Sequence, residues 1–115
     1  MKIVLLALAA VAMLLTSAYA AGDAARGKAL FNDPKFAGGS KACGECHPNG
    51  KGLEKAGAKK EFHVMDRTQK SLEEAVNACI VGANKGKPID VTSQQMQDMV
   101  AYIRSLGGKK PSSAY

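Results

Sequence analysis

The chain has 115 residues, three cysteines, no Trp and a formal net charge of +6. That length admits one small domain at most, and the thin aromatic supply excludes a self-sufficient core without disulfides, a metal or a bound group. The odd cysteine count excludes complete disulfide pairing, and the basic excess fits either plain solubility or steering toward an acidic partner.

Residues 1–20, MKIVLLALAAVAMLLTSAYA, carry Lys2, an apolar run from Ile3 to Leu15, and small residues around Ala18 and Ala20. This is the layout of a secretory signal peptide, and the apolar run is shorter than the roughly 20 residues of a spanning helix. Cleavage would start the mature chain at Ala21 or Gly22 and, by removing Lys2, lower the charge to +5. A periplasmic protein follows as the expectation, with no stable membrane anchor after cleavage and no nucleic-acid partner. Its domain is expected over 21–108, followed by a polar, disordered tail over 109–115.

A first helix is predicted in DAARGKALFND, capped by Asp23 and ended by Pro34. Gly27 is costly inside a helix, by about 1 kcal/mol against Ala, which suggests close approach of another helix there. The segment 34–69 reads mainly as loop. It is long for a compact domain, and such loops are functional or wrapped around something. A second helix is predicted in SLEEAVNACIVGA, with Ser71 and Glu74 as a capping box. Leu72, Ala75, Val76, Cys79 and Ile80 share its inward face. A turn-rich link with Gly86 and Pro88 leads to a third helix, TSQQMQDMVAYIRSLGG. Thr92 or Ser93 caps it, Gly107 stops it, and Met96, Met99, Val100, Ile103 and Leu106 form its apolar stripe. The fold class is therefore all-α, with three main helices and one long loop around a missing filler.

The segment KACGECHPNG places Cys43, Cys46 and His47 within five residues. A thioredoxin-like C-x-x-C wants a preceding strand and a βαβ frame, and neither is predicted. Cys43, Cys46, Cys79 and a His could make four zinc ligands, although zinc sites of this kind pair two knuckles and the chain has one. C-x-x-C-H also reads as c-type haem attachment: two thiols form thioethers to the haem vinyl groups and His47 becomes the proximal iron ligand. An export signal and a core short of apolar residues favour this third chemistry, with one covalent haem c as the cofactor.

With those residues in view, the chain resembles a class I c-type cytochrome. RGKALF is similar to that family's N-terminal helix and MVAYIRSL to its C-terminal helix. The resemblance implies that Gly27 and Phe31 pack against Tyr102 in a cytochrome c-like fold. The family's usual distal ligand is a Met on the loop before the last helix, and that loop here, GANKGKPIDVTS, has none. The C-terminal half is similar to Sox-type and thiosulfate dehydrogenase cytochrome domains, which implies Cys79 as a thiolate ligand. Met96, at the start of the third helix, is the alternative, with Met65 and His63 ranked lower and Met99 or an open site behind them.

The expected function is single-electron transfer between redox partner proteins by a monohaem cytochrome that is not itself an enzyme. No catalytic acid–base constellation is visible. Lys41, Lys51 and Lys55 could ring an exposed haem edge and guide an acidic partner. The alternative, carried by the resemblance around Cys79, is a haem subunit of an enzyme oxidising sulfur compounds such as thiosulfate.

Overall fold

The computed structural model describes residues 22–108; the expected signal peptide and tail lie outside the described residues. Asp23 begins the first helix as its sequence suggests: its carboxylate accepts from Arg26 N at 2.9 Å, and helix α1 runs Ala24–Phe31. Gly27 is buried on α1, and a Cβ there would run into the carbonyl of Asp98 and the Cβ of Tyr102. The absence of a side chain thus lets α1 cross the last helix, and the Phe31 and Tyr102 rings meet edge to face with centroids 5.1 Å apart. An edge-to-face aromatic pair adds about 0.5–1.5 kcal/mol beyond its buried area.

The segment read as loop is more ordered than its composition suggests. It contains 3₁₀ turns at Phe36–Gly38, Pro48–Gly50 and Ala56–Ala58, and a single helical turn α2 at Cys43–Cys46. The Glu45 carboxylate accepts from Ala42 N and closes α2. The expectation of no strand is corrected by an antiparallel hairpin, β1 Phe62–Val64 and β2 Arg67–Gln69. Its turn residues Met65 and Asp66 take φ of 54° and 61°, the left-handed pair that suits a tight two-residue hairpin. The alternation Phe62 buried, His63 exposed is the strand signal, too short to register against the Gly- and Lys-rich surroundings.

Helix α3 spans Leu72–Gly82, and Ser71 Oγ accepts from Glu74 N at 3.1 Å. The reciprocal bond differs from a strict capping box: the Glu74 carboxylate accepts from Lys70 N rather than from Ser71 N. After α3, the link is pinned by Asn77, whose side-chain amide both donates to Ile89 O and accepts from Ile89 N at 2.8 Å.

Helix α4 spans Gln94–Gly108, with Ser93 Oγ accepting from Met96 N at 3.2 Å. Gly107 does not stop it. A Cβ on Gly107 would meet the carbonyl of Glu54, so this glycine admits the central segment against α4. Phe31, Ile80, Met96, Met99 and Val100 are fully buried. Asp98, within α4, is also buried and fastens α1: its Oδ1 accepts from Asp23 N at 2.7 Å and Gln94 Nε2 at 2.8 Å, and its Oδ2 from Arg26 Nε at 3.1 Å. Among the described residues no helix is long and apolar enough to cross a membrane.

Candidate functional site

Between α2, the 53–64 segment, α3 and α4 lies a crevice with about 680 Å³ of empty space, its open mouth included. That is within the roughly 300–1,000 Å³ of small-molecule sites. Its walls are almost wholly apolar, with Phe31, Leu53, Phe62, Leu72, Val76 and Ile103 among them. Cys43, Cys46, His47 and Cys79 all line it.

His47 is oriented from behind. Its Nδ1 lies 2.9 Å from the carbonyl of Lys51. A carbonyl can only accept, so Nδ1 carries the hydrogen and Nε2 keeps its lone pair free for a ligand bond. The turn that presents this carbonyl is braced by Glu54, whose carboxylate accepts from Gly52 N at 2.9 Å. Hydrogen bonds from the backbone N–H groups of Glu54 and then Gly52 hold that carboxyl below its ordinary range.

Burial pushes the Cys43 thiol up, while a hydrogen bond from Asn84 Nδ2 at 3.2 Å pulls the other way. Burial also pushes the Cys79 thiol up, and the neighbouring Cys43 and Cys46 push it further in that direction. Cys79 is thus a neutral thiol at neutral pH unless a cation faces it.

The other candidate distal ligands do not line the crevice. Met96 and Met99 are packed in the core with no exposure. His63 points away on the outer face of the hairpin, with its Nδ1 3.1 Å from Thr68 Oγ1. Met65 sits at the hairpin tip, 55% exposed, against Gly82 in a separate groove.

The donors fit a flat group better than a bare ion. Zinc needs its ligands within about 2.3 Å of one point. Among the described residues no three His, Cys, Asp or Glu side chains converge in that way. Three thiols from two elements, a preoriented imidazole and an apolar lining fit a covalently held haem.

Sequence reasoning missed Lys51 as the partner of His47 and Asn84 as a crevice residue. Neither carries a local signal: the first acts through its backbone, and an Asn after a helix reads as an ordinary stop.

No curated protein and no solved structure matches the chain. The family model described as SoxA/TsdA, cytochrome c domain matches residues 26–111, which takes in most of the first helix, the C-x-x-C-H segment, the crevice and the last helix. The chain belongs to the SoxA/TsdA cytochrome c domain family, a haem-based electron-transfer module, and its cofactor is covalently bound haem c.

Proposed function

We propose that the protein is an exported, periplasmic monohaem carrier of single electrons, its domain spanning 21–108, with His47 and Cys79 as the residues that would ligate the iron. The observation that carries this reading is the crevice lining: Cys43, Cys46, His47 and Cys79 share one apolar cavity with no Asp, Glu, Lys or Arg in its wall. Haem c supplies a reversible one-electron iron couple when bound. Cys43 and Cys46 would hold it through thioethers, and His47, fixed through Nδ1 by the Lys51 carbonyl, would offer its Nε2 lone pair. Cys79, from α3, would offer its sulfur as a further donor. The apolar wall excludes water and keeps reorganisation small. Carriage of an electron needs no proton donor, and the wall holds no carboxylate to serve as one.

The test is the visible spectrum of the holoprotein. Cys79→Ala should convert the low-spin ferric spectrum to a high-spin one, because no other candidate ligand lines the crevice. A low-spin spectrum retained in Cys79→Ala would refute the ligand assignment.

Charge on the outer wall supports an acidic partner. Lys55, Lys59 and Arg104, with the single acid Glu54, border an open groove behind the Ala56–Ala58 turn, and none of the three cations has an ion pair among the described residues. Lys59 Nζ lies 5.4 Å above the ring of Phe62, itself a crevice residue. Lys41 and Lys51 flank the C-x-x-C-H segment in the sequence. Reversing Lys55, Lys59 and Arg104 to Glu should slow electron exchange with an anionic iron–cyanide probe and speed it with a cationic cobalt complex. Equal rates in both proteins would refute this docking face.

A second reading is favoured by Cys79 in the crevice and by the family match: a haem subunit that acts on sulfur compounds beside a partner. Reduction of the isolated haem protein by thiosulfate would support it over the carrier.

A further inference from the structure

Asn84 is buried, 6% exposed, and is fixed in three directions. Its backbone N donates to Cys79 O at 3.0 Å, and its carbonyl accepts from Ser40 N at 2.9 Å. Its side-chain Nδ2 donates to Cys43 Sγ at 3.2 Å, across 41 residues of sequence. A parallel strap joins Lys87 N to Ala37 O at 2.9 Å. The backbone of Asn84 therefore ties the end of α3 to the segment that enters the C-x-x-C-H motif, and its amide reaches the first cysteine of that motif. Cys46 is exposed and has no such partner among the described residues.

We propose that Asn84 is a positioning residue for covalent haem attachment, holding Cys43 Sγ at the crevice wall in the orientation from which it forms its thioether. In that step the Cys43 S–H adds across a vinyl C=C: an S–C bond forms at the carbon next to the ring, and the thiol hydrogen ends on the terminal carbon. No electron is gained or lost, so no oxidant is needed. With its amide lodged against the sulfur, Asn84 restricts the Cys43 rotamer and directs the remaining sulfur valence toward the cavity. This rests on Cys43 and Cys46 as the attachment pair, which Cys43→Ala and Cys46→Ala test separately: each should leave haem attached through one thioether.

The experiment expresses the full chain with a haem-attachment system and reads the linkage only among haem-bearing chains, so that lower yield does not move the result. The α-band of the denatured pyridine adduct distinguishes one thioether from two, and mass mapping of the 41–51 peptide locates the free thiol. Asn84→Leu, which removes the donor at similar size, should lower the ratio of double to single attachment about fivefold, as expected for one lost hydrogen bond, with the free thiol at Cys43. Asn84→Gln, which keeps the amide, should recover most of that ratio. In a Cys43→Ala background, Asn84→Leu should leave the remaining attachment through Cys46 unchanged. Full double attachment in Asn84→Leu, a free thiol at Cys46 instead, or loss of all haem loading would each overturn the proposal. If Cys43→Ala carries no thioether at Cys46, the attachment pair itself is wrong.

Discussion

Asp98 is where the packing of the first helix on the last can be tested most directly. Its Oδ1 accepts from Asp23 N and Gln94 Nε2, and its Oδ2 faces the Arg26 guanidinium. In Asp98→Ala, Gln94 and Arg26 are exposed enough to recover water, so the loss concentrates on the half-buried Asp23 N–H. An N–H bond to a charged acceptor contributes about 1.5–3 kcal/mol, so Asp98→Ala should cost about 2–3 kcal/mol. Asp98→Asn keeps the Oδ1 acceptor but turns a donating Nδ2 toward Arg26 Nε, whose exposed guanidinium can swing into water, so about 1 kcal/mol is expected. With a urea slope of about 1 kcal/mol/M for a domain this small, the midpoints of the holoprotein should fall by about 2–3 M and about 1 M. Burial works to raise the Asp98 carboxyl, but the hydrogen bonds from Arg26, Asp23 N and Gln94 outweigh it and hold the group below its ordinary value. Because the folded value is depressed, the added stability is complete above about pH 3.9, the unfolded Asp value. It is lost as pH falls through the lower folded value. The gap between wild type and Asp98→Asn should therefore close on acidification. Equal costs for Ala and Asn, or a gap that widens in acid, would refute the assignment of Oδ1 as the anchor.

Further outcomes follow from the packing. Gly27→Ala forces a methyl into the Asp98 carbonyl; it should destabilise by about 1–3 kcal/mol and lower the thermal midpoint, although Ala is the better helix former. Met96→Leu and His63→Ala should leave the ferric spectrum unchanged, since neither side chain lines the crevice. Glu54→Gln weakens the brace on the Lys51 turn and should lower the imidazolate character of His47, read as a rise in reduction potential with little change in urea midpoint.

The local signals in the chain were legible for a physical reason: they act over one helical turn. Asp23, Ser71 and Ser93 each satisfy a backbone N–H three residues ahead, and the spacing of Cys43, Cys46 and His47 is itself the pattern that pointed to attachment. Signals that depend on a distant partner read differently. Gly27 and Gly107 look alike in a sequence, a flaw in one helix and the end of another, yet both are points where a second backbone comes close. The hairpin at Phe62–Gln69 hid in a segment too polar to announce a strand, and it became a strand because Phe62 and Val64 cover the crevice.

The same division runs through the site. Periodicity alone puts Cys79 and Met96 on inward faces of their helices, and inward is all that periodicity can say. Which inward face borders the cavity depends on where α3 and α4 sit relative to α2, and that is decided by contacts far apart in the chain: Gly27 against Asp98, Asn77 around Ile89, Asn84 on Cys43 and Ser40. So the residues proposed to anchor and ligate haem on one side were written in ten consecutive positions, while the further candidate emerged only once long-range packing had placed Cys79 in the cavity and Met96 in the core.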